Sequence, residues 1–522
     1  MGGNRAGNSV EAFFRANAGL CILLAGILLQ AAGAAAQSSV NSTATQPTPT
    51  HSEHANAQAA ASGALPASET IPVLLLSDIH FEPFWDPGKV PQLVAAPVSE
   101  WKAILAAPQS ADRETRFASL ERSCPSRGED TSNALFESSL RAIQTHAAGA
   151  KFATLSGDLI SHGFNCKYAA LFPHPAPVDY RAFVEKTLDY VIEELGSSLP
   201  GVPVYVAMGN NDSDCGDYRL NAHSEFLSAV GGEVAKEFPL PDRQSAMETF
   251  AAGGYYSVAL PAPMRNGRLL VLNDIFMSSN YRTCSGKADQ TAVDAQLAWL
   301  EQQLADARRN KETIWVMGHI PPGVDLHGTV TKMRDICHGQ SPEMFLSSEK
   351  MADELVEFSD VVRVAIFAHT HMDEMHVLTA ERGGRHAALG SGVVVKGVSS
   401  ISPINGNAPS FTLARIHTSS AALVDYQVFS ASNQTGVDAV WKEEYDYAKT
   451  YHEDAFTPAS VSKLIAGFKA DPDAKTKASQ DYIRDFFPGS GSPLGLVWPQ
   501  YACSMANDSA QGFSSCVCSA SK

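Results

Sequence analysis

Val73-Leu-Leu-Leu-Ser-Asp-Ile-His80 is the stretch on which the reading of the whole chain turns. An apolar run without a polar break predicts a strand buried on both faces, and it ends in an acid, one residue and an imidazole. Strand side chains alternate between faces, so Asp78 and His80 are expected on one side, able to grip one divalent cation from the carboxyl end of a sheet. Taken alone the pair is weak evidence, because a strand-end acid is more often a cap than a ligand. The same event recurs four more times downstream.

Phe152-Ala-Thr-Leu155 runs into Ser156-Gly157-Asp158, and the apolar run 202–208 runs into Gly209-Asn210-Asn211-Asp212. Thr313-Ile-Trp-Val-Met317 leads to Gly318-His319, and the run 361–367 leads to Ala368-His369-Thr370-His371. Three of these corners carry a glycine, which lets the backbone turn tightly beside an ion. Asp78, His80, Asp158, Asn210, His319, His369 and His371 are the oxygen and imidazole donors suited to two borderline divalent ions, with one carboxylate free to bridge them. Each has a blander reading by itself, as a cap, a core histidine or an exposed pair; it is their order that argues for a joint site.

Between the strands the spacing predicts helices over 132–143, 180–195, 288–309 and 351–358. That alternation predicts a layered α/β domain whose ligand lies outside the strand ends. Runs 255–260 and 269–272, around Asn266-Gly267, read as a hairpin. Strands over 411–416 and 423–429 are expected to build a second sheet. Residues 81–130 read as a long irregular insertion, and from 441 to 487 the pattern reads as helical.

The 522-residue chain has 44% hydrophobic and 18% charged residues and a formal net charge of −17. Such acidity argues against nucleic-acid binding. It leaves room for a small phosphorylated substrate, since bound metal ions reverse the local field. Arg5 and Arg15, an apolar core over 20–29 and Ala34-Ala-Ala36 follow the order of a secretory signal cut after Ala36, which makes the protein secreted or periplasmic. A retained anchor fits less well, because that core is short for a span, and no later segment is long enough to be transmembrane. The signal therefore covers 1–36, a disordered low-complexity linker 37–70, the catalytic domain 71–435 and a helical, cysteine-bearing C-terminal cap 436–522. Of nine cysteines, Cys21 leaves with the signal. The remaining even set (Cys124, Cys166, Cys215, Cys284, Cys337, Cys503, Cys516, Cys518) reads as disulfides, with the pairing open.

The series Asp-x-His, Gly-Asp, Gly-Asn-x-Asp, Gly-His and His-x-His resembles the calcineurin-like metallophosphoesterase superfamily. Finer features resemble its acid sphingomyelinase-like phosphodiesterase branch: Ser77-Asp-Ile-His-Phe81 followed by an insertion, His162 four residues after Asp158, Gly318-His-Ile-Pro-Pro-Gly323, and His369-Thr-His-Met-Asp-Glu374. The resemblance implies a four-layer α/β/β/α sandwich with a helical C-terminal cap. It also implies that Asp78, His80, Asp158 and His371 hold one ion while Asp158, Asn210, His319 and His369 hold the other. Histidine-rich donors favour zinc, with manganese, iron or another transition metal as substitutes. In this family a water shared by the ions attacks phosphorus, and His162 is the candidate proton donor to the leaving alkoxide. Where the family commonly has Gly-Asn-His, this chain has Asn211, which could donate a hydrogen bond to a phosphoryl oxygen but cannot deliver a proton.

Three functions fit. The first is an exported phosphodiesterase of the sphingomyelinase-like type, taking a small phosphodiester or phospholipid headgroup. The second is a nucleotide or polyphosphate phosphohydrolase on the same centre, since some polyphosphate-acting relatives share the Asn-Asn form. The third is a secreted binding protein without catalysis, against which stands the presence of every expected ligand.

Overall fold

A computed structural model of the chain describes residues 69–174, 176–236, 238–240, 242–264, 266–379, 392–489 and 492–520. The chain divides into units 1–62 and 63–522, and the described residues all belong to the second. The signal segment with its cut after Ala36, and nearly all of the 37–70 linker, lie outside the described residues.

Twelve described strands form two sheets: β1 (Thr70–Leu76), β2 (Ala153–Leu155), β3 (Val204–Val206), β4 (Tyr256–Ala259), β5 (Gly267–Val271), β6 (Thr313–Met317), β7 (Val362–Phe367), β8 (Glu374–Thr379), β9 (Gly392–Gly397), β10 (Ser410–His417), β11 (Leu423–Ala431) and β12 (Trp441–Asp446). The first sheet runs β12-β11-β10-β1-β2-β3 and the second β4-β5-β6-β7-β9-β8. In the first, β1, β2 and β3 are parallel neighbours; in the second, β5, β6 and β7 are. The strand-end corners of both parallel sets carry the expected donors, as open α/β sheets place their ligands.

The two sheets pack through one continuous core. Trp315 of β6 meets Phe152, just before β2, edge-on at 5.5 Å and donates its indole N–H to the carbonyl of Ala421 at 2.7 Å. Tyr256 of β4 satisfies both the amide and the carbonyl of Val206 in β3. With helices outside, including Asn133–His146 and Thr291–Asn310, the architecture is the expected layered sandwich with a helical C-terminal region.

Several local expectations change. The 81–130 insertion is largely helical rather than irregular, with Val90–Ala95, Trp101–Ala106 and Arg113–Ser123 as short helices that its prolines had concealed. The strands over 410–431 extend the first sheet through β1 instead of founding the second. Residues 441–446 form edge strand β12, whose Lys and Glu residues stand on a half-exposed strand and mimic helical composition. The hairpin of β4 and β5 is present, antiparallel as expected.

The cysteines pair as Cys124–Cys166, Cys215–Cys284, Cys337–Cys518 and Cys503–Cys516. The last two fasten the C-terminal helices, and the backbone N–H of Val377 in β8 donates to Met505 at 2.9 Å. The C-terminal region thus covers an edge strand that would otherwise present unpaired backbone groups. Among the described residues no helix is long and apolar enough to cross a membrane.

A buried ion pair of the second sheet faces the first. Lys396 of β9 lies 2.8 Å from Asp373, donates to the carbonyl of Gly397 and sits 4.6 Å from the ring of Tyr426 in β11. Burial pushes the lysine pKa down while Asp373 pulls it back up. Lys396→Ala leaves the carboxylate buried and unpaired and is expected to cost about 3–5 kcal/mol of stability, read as a lower urea midpoint. Lys102→Ala, at a lysine 61% exposed beside Glu194, is expected to cost about 1 kcal/mol or less in the same assay.

Candidate metal centre

β1 stops at Leu76, so Asp78 and His80 do not share a face through strand alternation. The backbone instead turns through left-handed conformations, with φ of 44° at Asp78 and 46° at His80. Asp158 (55°), His369 (70°) and His371 (68°) do the same. Non-glycine residues seldom occupy this region, and their clustering marks corners bent to aim side chains at one point.

That point is the Asp158 carboxylate. Its Oδ2 lies 3.4 Å from Nε2 of His80 and 3.3 Å from Nε2 of His319, imidazoles that come from different sheets. Asp78 Oδ1 lies 3.7 Å from His80 Nε2 and 3.5 Å from His371 Nε2. On the other side, Oδ1 of Asn210 and Nδ1 of His369 approach His319 Nε2 at 3.0 and 3.3 Å. All seven predicted donors are therefore brought together. Ligand atoms of Asp78, His80 and Asp158 lie within 4.8 Å of one another, as do those of Asp158, His319 and His369, and those of His80, His162 and His371.

The donors are aimed by their neighbours. Nδ1 of His80 faces the carbonyl of Ile160 at 3.0 Å and Nδ1 of His319 that of Ser156 at 2.7 Å, so in each ring Nδ1–H donates outward and Nε2 is turned inward. Glycine is required where the corners converge. A Cβ on Gly157 would stand 2.7 Å from the amide nitrogen of Gly209, and one on Gly209 would collide with Asp158 itself. Asn211, expected to face a phosphoryl oxygen, donates from Nδ2 to Asp158 Oδ2 at 2.8 Å, and its backbone N–H donates to Oδ1 at 2.8 Å. One amide hydrogen is thus committed to Asp158, and the other remains.

These residues fit divalent cations. Both oxygens of Asp78 and the Nε2 of His80 are buried without a hydrogen-bond partner in the protein. Buried polar atoms are rarely left so, and a carboxylate least of all. The demand for positive charge also shows in the balance of burial and charge at these groups. Burial opposes charging His80 and His319, yet Asp158 and the other nearby acids outweigh it and push them up to about 9 and about 10. Burial, together with the charged rings, drives His369 and His371 down to about 4 and about 3. Asp78, which burial alone would raise, is drawn down to about 2 by His371, His80 and His319. Cations between the carboxylates would take the place of these ring protons.

His162 stands beside this group, its ring stacked on His80 with centroids 4.0 Å apart and its side chain one-third exposed. Asp130 accepts from both its backbone N–H (2.8 Å) and its Nδ1 (3.1 Å), and is itself held by the hydroxyl of Ser402 at 2.8 Å. Burial would raise Asp130, but His162, His80 and Lys167 hold it well below the usual carboxylate range. The sequence reading missed this acid, which sits in the insertion far from any strand end.

It also missed two braces. Asp212 accepts from the backbone N–H groups of Leu159, Ile160 and Gly209, and Asp274 from those of His319 and Ile320. Asp274 had the signal in plain view, following an apolar run, Leu269-Leu-Val-Leu272, as the seven candidate donors do.

A family description, calcineurin-like phosphoesterase, matches residues 71–373. The chain belongs to the calcineurin-like phosphoesterase family. It is 26% identical over 303 residues to human (Homo sapiens) cyclic GMP-AMP phosphodiesterase SMPDL3A, covering 57% of this chain and 62% of that protein. It is 24% identical over 344 residues to sphingomyelinase phosphodiesterase C of Dictyostelium discoideum, covering 64% and 70%. With acid sphingomyelinase-like phosphodiesterase 3b of Mus musculus it shares 28% identity over 250 residues, 48% of this chain and 47% of that one. These likenesses place the chain in the acid sphingomyelinase-like branch, while the matched part spans less than two thirds of the human and mouse relatives. A phosphoesterase of this family is metal-dependent, in keeping with the donor set described above.

Asp274→Ala leaves the backbone N–H groups of His319 and Ile320 buried without their acceptor. The expected loss is about 1–3 kcal/mol of stability for each such group, measured by urea unfolding, with Asp274→Asn, which keeps one oxygen, falling between.

Proposed function

We propose that this chain is an exported phosphodiesterase working through two divalent ions, held by Asp78, His80, Asp158 and His371 on one side and by Asp158, Asn210, His319 and His369 on the other. The observation that carries the reading is the buried Asp158 carboxylate between imidazoles of two sheets, with the unpartnered Asp78 carboxylate beside it. Mixed imidazole, carboxylate and amide donors favour zinc or another transition ion over calcium or magnesium. Bound there, such a pair supplies an acidified water and positive charge for the phosphoryl oxygens.

The chain's own residues do the rest. Asn211 fixes the Asp158 carboxylate through two hydrogen bonds and keeps one amide hydrogen for a substrate oxygen. His162 gives a proton to the leaving alkoxide. Asp130 holds Nδ1–H of that ring, so Nε2 is the nitrogen that carries the transferable proton, and Ser402 keeps Asp130 in place. With Asn211 where relatives often have histidine, His162 is, among the described residues, the imidazole at the centre left to serve as the acid.

One further feature favours the phosphodiester reading over an anhydride one, and another favours export. The relatives named above act, by their names, on cyclic GMP-AMP and on sphingomyelin, which are both phosphodiesters. Four disulfides suit the oxidising compartment that an exported protein reaches. The second reading, a nucleotide or polyphosphate phosphohydrolase, draws on the Asn210-Asn211 pair.

Turnover of sphingomyelin, cyclic GMP-AMP, bis-p-nitrophenyl phosphate, nucleoside triphosphates and polyphosphate separates the two. Phosphodiester cleavage that is abolished by a chelator and restored by zinc or manganese is the expected result; turnover of the anhydrides alone would hand the site to the second reading. Asp158→Asn is expected to lower kcat by more than about 10³-fold while the protein stays folded and disulfide-bonded. His162→Ala is expected to cost about 10²–10⁴-fold on an alkoxide-releasing diester. On bis-p-nitrophenyl phosphate, whose leaving group departs without a proton, the loss should nearly vanish.

A further inference from the structure

The loop after β3 sends two consecutive side chains back to the centre it has just left. Nδ2 of Asn210 donates to Oδ1 of Asp217 at 2.7 Å, which leaves Oδ1 of Asn210 turned toward His319. The hydroxyl of Tyr218 lies 3.1 Å from Nε2 of His369, whose other nitrogen, Nδ1, faces His319. An imidazole that ligates through one nitrogen has its tautomer and tilt set by the partner of the other, and a ligating amide is aimed in the same way. Among the described residues, neither Asp217 nor Tyr218 forms a hydrogen bond to Asp78, His80 or His371.

This segment is held with unusual firmness for a loop. Tyr218 adopts φ of 55°, a left-handed conformation costly for a bulky side chain. Its backbone N–H donates to the carbonyl of Asn210, and its carbonyl accepts from the N–H of Arg282, both at 3.0 Å. The N–H of Leu220 returns a bond to the carbonyl of Arg282 at 3.1 Å, and Cys215 is joined to Cys284 two residues further on. The backbone strain is kept because the crosslink and these bonds leave the loop little else to adopt.

We propose that Asp217 and Tyr218 are positioning residues of a clamp that raises the metal affinity of one half of the centre, the half made by Asp158, Asn210, His319 and His369, and leaves the Asp78, His80 and His371 half alone. The proposal rests on the two-ion reading above. Asp217 fixes which atom of Asn210 faces the ion, Tyr218 fixes which nitrogen of His369 does, and the Cys215–Cys284 bond ties their loop to the one that carries Arg282. The loop then adds its own difference in affinity to the one that the Asp78 carboxylate and the Asn210 amide already set between the two half-sites.

Cobalt(II) titration of the chelator-stripped, disulfide-intact protein, followed by its visible absorption, tests this without any substrate. Wild type is expected to take two equivalents. Tyr218→Phe, which removes one oxygen, and Asp217→Asn are each expected to weaken one equivalent by about 10- to 100-fold and to change its visible band, with the other equivalent and the apoprotein melting temperature unchanged. Variants that bind both equivalents as wild type does, that weaken both together, or that lower the apoprotein melting temperature with wild-type cobalt spectra overturn the clamp. A wild-type protein that binds no cobalt overturns the two-ion reading itself, so the two failures are told apart.

Discussion

A carboxylate buried between two sheets is the constraint to which the rest of this structure answers. Asp158 sits after β2 in the first sheet, yet its oxygen is shared between His80 from the same sheet and His319 from the other. A charge removed from water in this way needs opposite charge close by. The surroundings supply it from both sides of the seam, and the seam is fixed by the same core that Trp315, Phe152 and Tyr256 build a short distance away. Site and fold are therefore not separable: shifting one sheet relative to the other would pull the imidazoles off the carboxylate.

The corners carrying these groups are strained, and the strain has visible counterweights. Asp78, His80, Asp158, His369 and His371 all hold positive φ. Such conformations cost about 1–3 kcal/mol each and persist only where the surroundings over-determine them. Here the surroundings include Asp212 and Asp274, each gathering backbone N–H groups from the corners of Asp158 and His319. Both carboxyls are pushed up to about 7 by burial, the mark of groups placed for hydrogen bonding in spite of desolvation.

The last donor loop also ties the centre to the C-terminal helices. Two residues past His371, Asp373 accepts from the hydroxyl of Tyr445 at 2.7 Å and from Lys396, and its backbone N–H donates to Phe486. Glu374 accepts from the hydroxyl of Tyr501. The C-terminal region thus supports the loop that presents His369 and His371, besides covering the edge of β8.

Local pattern alone determined the alternation of strand and helix, the apolar runs ending in acid, amide or imidazole, and which seven side chains to look for together, because each signal lies within a few residues of its own strand end. Asp274 was legible by the same rule. Asp130, Ser402, Asp217 and Tyr218 were not, since each gains its meaning from a partner that only folding brings near: Asp130 meets Ser402 across 272 positions, and Tyr218 meets His369 across 151. The membership of β10 to β12 in the first sheet, the pairing of the cysteines and the commitment of Asn211 to Asp158 were likewise decided by tertiary structure. Pairing, register and burial are long-range properties, and a sequence window carries the chemistry of a residue but not the address of its neighbour.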